Sequence, residues 1–252
     1  MKYSAQEWLT LVRASQSRGG HASFLGYEVS YLDEGSFRIL LGEVFFNGDY
    51  LIDLGSSDPV ILDCGANIGL ATLFLKRLYP GAHISCFEAD PTTASMLRQN
   101  IEKNHLPNVA IHNVMLANDD EEHSFYVASD MEGSLMMSSI PDRLSNHREI
   151  QVKGSRLSNY IEGQVDLVKL DVEGAEFEVL TDLIESGKLP LIRRMIIEYH
   201  HKIGGHASCL SKFLGLLEQE GFEYQLSAHC EDIMAKDVFQ DVLIAAYRPA
   251  EG

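Results

Sequence analysis

The chain has 252 residues, of which 45% are hydrophobic and 23% are charged, a composition typical of a soluble globular protein of one or two domains. Its 37 acidic residues outnumber the 20 basic ones and give a formal net charge of -17, which argues against binding to nucleic acid or to an anionic membrane. Neither a membrane-spanning run nor a secretory signal is evident, so we expect a cytoplasmic protein without a membrane partner.

The N-terminal residues predict a helix followed by a hairpin. Apolar residues at helical spacing predict a short amphipathic helix within residues 2–18. Residues 27–32 and 37–41 flank an Asp33-Glu34-Gly35 turn, and this pattern predicts a β-hairpin. Asn47-Gly48 predicts a further turn. We expect these elements to form an extension that packs against the catalytic part of the chain.

From residue 60 onward, strands and helices alternate, which predicts a parallel sheet. The predicted strands cover residues 60–63, 83–87, 109–112, 165–170 and 195–197. The predicted helices cover residues 70–79, 91–105, 175–186 and 208–220. Residues 224–226 and 242–247 resemble a closing hairpin. The expected fold class is therefore α/β, with a mostly parallel sheet and helices on both faces in residues 57–252, after an extension at residues 1–56.

A long polar stretch interrupts this alternation. A short strand is predicted at residues 124–127, and residues 129–148 then show no clear period and are rich in Ser and Met. Loops of this length are often functional, and the Met136-Met137 pair is adaptable. We therefore predict that this stretch is a lid over a bound substrate.

The strand and turn at residues 60–69 predict a nucleotide-type cofactor site. A buried apolar run ends in Asp63, and Gly65 and Gly69 follow before an apolar helix. Such a turn brings backbone close to a ligand at the start of a helix. The dinucleotide fingerprint G-x-G-x-x-G is absent. Asp63 would repel a pyrophosphate and attract a positive charge, which favours the sulfonium of S-adenosylmethionine.

The next strand ends in Glu88. In nucleotide-binding β-α-β units an acidic side chain roughly 20 or more residues after the glycine turn usually binds the ribose hydroxyls, and Glu88 lies at about this spacing. Asp90-Pro91 then begins a helix, with Asp as the N-cap and Pro at the first helical position. The complete β-α-β unit supports a cofactor site that includes Asp63 and Glu88.

Other polar side chains follow the remaining strands. Asn113 follows the third strand, Asp171 and Glu173 follow the fourth, and Glu198 and His200 follow the fifth. Because ligands of open α/β sheets bind at the carboxyl ends of the strands, we expect Asn113 and Asp171 to contact the cofactor.

His200 is the predicted general base, because an imidazole titrates near neutrality. Glu198 is expected to point to the same side of the chain as His200, and Asp171 with a raised pKa is an alternative base. A purely structural role for His200 also stays open. Lys169 lies inside the fourth strand, where a buried ammonium needs a carboxylate partner, so we predict an ion pair there.

The patterns for metal ligands and disulfides are weak. The histidines and cysteines after residue 200 lack the paired spacing of structural zinc. A divalent cation such as magnesium would find oxygen ligands in Asp171, Glu173 and Glu198, but no residue is assigned as a metal ligand. Reduced thiols are expected at four scattered positions, Cys64, Cys86, Cys209 and Cys230.

With these residues identified, the chain resembles the FkbM-type methyltransferases, which are S-adenosylmethionine-dependent enzymes with a seven-stranded Rossmann-like fold. The resemblance covers about residues 43–200. It rests on four motifs: Asp63-Cys-Gly65-Ala-Asn67-Ile-Gly69, Phe87-Glu88-Ala-Asp90-Pro91, Lys169-Leu-Asp171-Val-Glu173-Gly174-Ala-Glu176 and Glu198-Tyr-His200.

The resemblance implies O-methylation of a hydroxyl on a sugar, polyketide or other small acceptor, with Gly65, Asn67, Gly69 and Glu88 at the cofactor. The expected partner is a small molecule, and a homo-oligomer is possible. Two alternatives stay open. One is a non-catalytic protein that binds S-adenosylmethionine or acts as a scaffold, and the other is a NAD-dependent oxidoreductase.

Overall fold

The N-terminal part of the chain folds into helices and a small hairpin. The computed structural model describes residues 3–128, 147–203, 209–228 and 240–249. The first elements are α1 (Ala5–Ala14), β1 (His21–Phe24), β2 (Tyr27–Ser30) and α2 (Glu34–Leu41), followed by a π-helical turn at Gly42–Asn47.

The hairpin predicted from residues 27–32 and 37–41 is wrong, because β2 pairs with β1, which precedes it. Residues 34–41 form α2 instead. The Asp33 side chain caps this helix, since its Oδ2 accepts from the backbone N–H of Ser36 at 2.6 Å. The acidic residue that had indicated a turn is therefore a helix N-cap, and Phe37 and Leu41 lie on its buried face at helical spacing.

Strands and helices alternate from residue 60, as predicted. In chain order, the elements are β3 (Val60–Cys64), α3 (Leu70–Leu78), β4 (His83–Phe87), α4 (Pro91–Lys103), β5 (Val109–His112), β6 (Met115–Leu116), β7 (Glu122–Ala128), β8 (His147–Ser155), β9 (Leu167–Leu170), α5 (Glu176–Glu185), β10 (Arg194–His201), α6 (Leu210–Gln219), β11 (Glu223–Ala228) and β12 (Gln240–Tyr247).

The central sheet has seven strands in the order β11-β12-β10-β9-β3-β4-β5. Strands β5, β4, β3, β9 and β10 are mutually parallel, and β12 is antiparallel to both of its neighbours. The prediction of an α/β, Rossmann-like, mostly parallel sheet of seven strands is confirmed. The closing hairpin is also present as β11 and β12.

Strand β10 is longer than predicted. It pairs with β12 through His201, so Glu198 and His200 lie within the strand and not beyond its end. The backbone of these polar residues is hydrogen-bonded to β12, and this pairing allows the strand to continue past its apolar part.

A second, three-stranded sheet stands beside the central one. It has the order β6-β8-β7, and its antiparallel pair β7 and β8 was only partly anticipated by the short strand predicted at residues 124–127. His147 and Arg148, which had been placed in the predicted lid, begin β8. The rest of that stretch, residues 129–146, lies outside the described residues.

The N-terminal part shares a hydrophobic core with the first β-α unit. Phe45 packs edge-on against Phe74 of α3, with ring centroids 5.3 Å apart, and both side chains are fully buried. The boundary between residues 56 and 57 stays a prediction. Cys64 and Cys86 are buried free thiols. Among the described helices, none has the length and apolar character needed to cross a bilayer.

Candidate active site

A cleft opens at the carboxyl ends of the central strands, and we call it the edge cleft. It encloses about 800 Å³ of space, including solvent at its mouth. Its walls come from α2 and the π-helical turn, the turn after β3, the end of β4, strand β6, strand β7, and the turn after β9. The predicted site residues that line it are Gly65, Asn67, Glu88 and Asp171.

The turn after β3 has the backbone geometry that its glycines allow. Gly65 adopts φ +77°, and a Cβ placed on it would lie 1.7 Å from the carbonyl oxygen of Asp171. The turn after β3 and the turn after β9 therefore touch through backbone, and a side chain at position 65 has no space. Gly69 does not line the cleft; it adopts φ +95° where α3 begins, and a Cβ there would meet Leu97.

Glu88 is buried at the end of β4, and both of its carboxylate oxygens accept hydrogen bonds. Oε2 accepts from the backbone N–H of Asn67 at 2.9 Å, and Oε1 accepts from that of Asp90 at 3.0 Å. Burial raises the pKa of Glu88 to about 7, although these hydrogen bonds oppose the shift. The carboxylate thus connects the turn after β3 to the start of α4 while it lines the cleft.

Asn113 lies behind Glu88 and does not line the cleft. Its Nδ2 donates to the backbone carbonyls of Glu88 at 2.8 Å and Ala89 at 2.9 Å. Asn113 therefore fixes the backbone that carries Glu88, and its predicted contact with a cofactor stays a prediction.

Asp63 is also beneath the cleft and is fully buried. Its Oδ2 accepts from the Thr72 hydroxyl at 2.6 Å, and its Oδ1 lies 3.8 Å from Lys169 Nζ. Burial raises the pKa of Asp63, and Lys169 and Thr72 oppose that shift. Thr72 and Lys169 are therefore the partners of the buried Asp63 carboxylate inside the protein. A direct contact between Asp63 and a ligand stays a prediction.

Lys169 forms the predicted ion pair. Its Nζ lies 2.9 Å from Asp171 Oδ2 and donates to the backbone carbonyl of Gly65 at 2.7 Å. Burial alone would lower the pKa of Lys169, but Asp171, Tyr50 and Asp63 outweigh it and hold the pKa well above its usual value. Lys169 is therefore a permanent cation at the floor of the cleft.

His200 is buried between carboxylates. Its Nδ1 lies 2.8 Å from Glu176 Oε1, and its Nε2 lies 3.0 Å from Glu173 Oε2 and 3.8 Å from Asp171 Oδ1. Burial by itself lowers the pKa of His200, but Glu176, Asp171 and Glu198 outweigh it and raise the pKa to about 9. At neutral pH the imidazole is a cation that donates from Nδ1 to Glu176, while its Nε2 lies at ion-pair distance from Glu173. Its predicted role as a general base stays a prediction, and this environment opposes it.

The carboxylate of Glu176 organises the turn after β9. Its Oε1 accepts from the backbone N–H groups of Gly174 at 3.0 Å and Val172 at 3.3 Å, in addition to His200. Glu173 has φ +57°, which is uncommon for a residue with a side chain, and Gly174 has φ +110°. The left-handed turn is thus stabilised by hydrogen bonds to one buried side chain.

Two further carboxyl groups belong to the same region. The pKa of Glu198 is raised to about 8, first by the Asp171 charge and then by burial. The pKa of Glu43, in the π-helical turn, is raised to about 7 by burial and by Asp171. Carboxyl groups that titrate near neutrality are typical of functional sites.

Asp171, Glu198 and His200 also form a group that could hold a metal ion. One ligand atom from each lies within 4.8 Å of the other two. Carboxylate oxygens and an imidazole suit a divalent cation, but the imidazole would first have to lose its Nε2 proton and the contact of Nε2 with Glu173, while Nδ1 could keep donating to Glu176.

The N-terminal part supplies residues that the sequence analysis did not place at the site. Leu40, Val44 and Tyr50 line the edge cleft, and Lys169 Nζ lies 5.8 Å from the centroid of the Tyr50 ring. The spacing of Leu40 and Val44 is helical, and this signal was present in the sequence. The sequence analysis instead assigns residues 37–41, which include Leu40, to a strand of a hairpin, and it expects the extension to pack against the catalytic part without lining the site.

Comparisons of sequence and of fold show which known proteins this chain is similar to. Residues 63–224 match the model of the methyltransferase FkbM domain. "Methyltransferase 1" of Beauveria bassiana is 30% identical over 200 residues, which cover 71% of this chain and 78% of that protein. The 31-O-demethyl-FK506 methyltransferase FkbM of Streptomyces tacrolimicus is 26% identical over 235 residues, which cover 78% of this chain and 86% of that protein.

A solved structure supports the fold. The methyltransferase FkbM of Methylobacillus flagellatus KT superposes with a TM-score of 0.51 at 14% sequence identity. The superposition covers 96% of this chain and 59% of that one, so the other chain contains a substantial additional part. At this level of identity the similarity concerns the fold alone.

Proposed function

The chain belongs to the FkbM methyltransferase family, and we propose that it transfers a methyl group from S-adenosylmethionine to a hydroxyl oxygen of a small acceptor such as a sugar or a polyketide. The observation that carries this proposal is the edge cleft. In it, the turn at Gly65 and the Glu88 carboxylate lie at the carboxyl ends of the adjacent parallel strands β3 and β4. Asp171 directly follows β9, which is the other neighbour of β3.

The polar groups of the cleft suit an adenosyl ligand better than a dinucleotide. Each oxygen of Glu88 accepts one backbone N–H and retains a lone pair for a ribose hydroxyl. Asp171 presents a carboxylate to the cleft, and Glu88, whose pKa is about 7, is partly ionised at neutral pH; this negative charge opposes a pyrophosphate. The same charge favours a sulfonium, which supports S-adenosylmethionine over NAD.

The apolar wall of the cleft suits methyl transfer. In this reaction the hydroxyl oxygen attacks the methyl carbon in line, the carbon–sulfur bond breaks, and the acceptor proton passes to a base. The sulfonium charge disappears, so the protein must chiefly align the reactants and exclude water. Leu40, Val44 and Tyr50 provide apolar surface at the cleft for this purpose.

We assign the base role to Asp171. Lys169 holds its Oδ2, while Oδ1 lies 3.8 Å from His200 Nε2 and keeps lone pairs that can accept the acceptor proton. A positioned base of this kind contributes roughly 10²- to 10⁴-fold to the rate. His200 then stabilises the carboxylates around it as a cation, and Glu198 adds a further carboxyl group beside Asp171.

The acceptor class is supported by a relative's name. The Streptomyces relative is named for methylation at an oxygen of its acceptor. The net charge of -17 argues against a nucleic acid as the acceptor, because phosphate groups would be repelled. The alternative is a protein that binds the adenosyl ligand without turnover.

A divalent cation such as magnesium is a separate part of the proposal. Asp171, Glu198 and His200 are the residues that would hold it. When bound, a cation would polarise the acceptor hydroxyl and lower its pKa.

Calorimetric titration with S-adenosylhomocysteine and, in parallel, with NAD tests the cofactor. We expect binding of the adenosyl ligand alone, weakened at least tenfold in Glu88→Ala and unchanged in Glu102→Ala, an exposed acid on α4. Methyl-labelled S-adenosylmethionine offered with a panel of hydroxylated acceptors then tests catalysis. Binding of NAD but not of the adenosyl ligand would refute the proposal, and adenosyl binding without label transfer to any acceptor would favour a non-catalytic role.

A further inference from the structure

Lys169 is an unusual residue for its position. Strand β9 lies in the middle of the central sheet, and all four of its residues are buried. Taking an ammonium out of water costs several kcal/mol, and an apolar side chain of similar size is often as stable or more stable at such a place. Stability alone therefore gives no reason for a lysine here, and its contacts indicate another reason.

The lysine joins the two turns that form the floor of the edge cleft. Its Nζ donates to the Gly65 carbonyl at 2.7 Å, in the turn after β3, and to the Cys64 carbonyl at 3.4 Å, at the end of β3. The same Nζ donates to Asp171 Oδ2 at 2.9 Å, in the turn after β9. One ammonium thus binds the backbone of one turn and the side chain of the other.

These two turns are already in close contact. The backbone N–H of Asp171 donates to the Cys64 carbonyl at 3.1 Å. The carbonyl oxygen of Asp171 occupies the space that a Cβ on Gly65 would need. The backbone sets the distance between the turns, and Lys169 sets the direction of the Asp171 carboxylate relative to the Gly65 backbone.

We propose that Lys169 is a positioning residue that fixes the Gly65 turn and the Asp171 carboxylate in one arrangement. This arrangement aligns the bound ligand with the Asp171 carboxylate, which faces the methyl acceptor. This inference rests on the proposed function for the identity of the ligand. Its geometric part, that the ammonium fixes the Asp171 carboxylate against the Gly65 backbone, concerns the ligand-free protein.

A matched control exists elsewhere in the chain. Lys76 on α3 is also buried, with 3% exposure, and its Nζ donates to the carbonyls of Ala82 and Pro80, away from the edge cleft. Replacing either lysine by methionine keeps the aliphatic stem and removes the ammonium. Lys76→Met therefore controls for the loss of a buried ammonium outside the edge cleft.

The first measurement is backbone hydrogen exchange of the ligand-free proteins. We expect Lys169→Met to accelerate exchange at least tenfold at residues 65–69 and 171–174, and Lys76→Met to leave both turns unchanged. If Lys169→Met does not fold, the double variant Asp63→Asn/Lys169→Met, which leaves one fewer unpaired buried charge, replaces it. Unaltered exchange in both turns, or equal acceleration in Lys76→Met, would overturn the proposal.

The second measurement is S-adenosylhomocysteine affinity compared with thermal stability. We expect Lys169→Met to weaken affinity about tenfold, because a charge-assisted hydrogen bond to each turn is lost, and Lys76→Met to lower Tm without changing affinity. Wild-type affinity in Lys169→Met would overturn the alignment part of the proposal. Failure of the wild-type protein to bind the ligand would instead refute the proposed function, while hydrogen exchange still decides the role of Lys169.

Discussion

His200 and Glu176 form a buried ion pair in which the imidazole Nδ1 lies 2.8 Å from the carboxylate Oε1. The two residues come from β10 and α5, and both side chains are almost inaccessible, with exposures of 2% and 3%. The pair connects a strand of the central sheet to the turn that carries Asp171. A histidine in this environment holds its proton more tightly than one in water.

This pair predicts a loss of stability at alkaline pH. The pKa of His200 rises from 6.5 to about 9 in the folded protein, so its stabilising effect is complete below pH 6.5 and is lost as the pH rises to about 9. The contribution is on the order of 3 kcal/mol. Urea unfolding between pH 6 and 9.5 should show a steeper decline for the wild-type protein than for His200→Asn.

The raised pKa values of Glu88, Glu43 and Glu198 act in the same direction but begin at lower pH. When the pKa of a carboxyl group is raised in the folded state, the protein loses stability as the pH rises from 4.5 to the pKa in the folded state. That pKa is about 7 for Glu88 and Glu43 and about 8 for Glu198. The comparison with His200→Asn removes the contributions of Glu88 and Glu43. The contribution of Glu198 differs between the two proteins, because the His200 charge lowers its pKa. Parallel stability curves for the two proteins above pH 6.5 would contradict the prediction.

Glu176→Gln should destabilise the protein more than its single lost charge suggests. The change removes the counter-charge of His200 and weakens the acceptor for two backbone N–H groups. Loss of one partner of a buried ion pair typically costs about 3–5 kcal/mol. Glu185→Gln, at an exposed position on the same helix, should cost less than about 0.5 kcal/mol in the same urea titration. Equal midpoints for the two variants would show that the pair contributes little.

Local sequence patterns predicted the part of the site that depends on backbone geometry. The apolar run ending in Asp63, the glycines at 65 and 69 and the acidic end of the next strand imply a β-α-β unit, because each requires a particular strand or turn. Lys169 was also predicted to be paired, since a charge in an apolar strand has few other options. These inferences use only neighbours in sequence.

The rest of the site depends on contacts between distant residues. Glu176 lies on α5, and nothing in its spacing shows that its carboxylate meets His200, 24 residues away. The pKa of His200 follows from that contact, so its cationic state could not be predicted from an ordinary imidazole. The N-terminal wall was missed for a different reason. Asp33 suits a turn and a helix N-cap equally well, and only packing decides between them.

Gly65→Ala should damage both the fold and the cleft. The added methyl group would overlap the Asp171 carbonyl oxygen, and φ +77° is unfavourable for alanine. We expect destabilisation of more than about 2 kcal/mol and loss of S-adenosylhomocysteine binding. Gly163→Ala is the control, because a Cβ there meets no atom within 4 Å. Thermal unfolding and calorimetry measure both effects, and wild-type behaviour of Gly65→Ala would mean that the two turns are farther apart than described.

Magnesium binding should depend on pH if Asp171, Glu198 and His200 form its site. The imidazole must release its proton before it can act as a ligand, and its pKa is about 9, so affinity should increase as the pH rises from 6.5 to 8.5. Each proton in competition with the cation gives up to about tenfold per pH unit, and below pH 8 Glu198, whose pKa is about 8, adds a second proton to that of His200. Calorimetric titration with Mg²⁺ at pH 6.5, 7.5 and 8.5 measures this dependence. Glu198→Gln should abolish Mg²⁺ binding, whereas Glu185→Gln should leave it unchanged. Affinity that is independent of pH, or that survives in Glu198→Gln, would place the cation elsewhere.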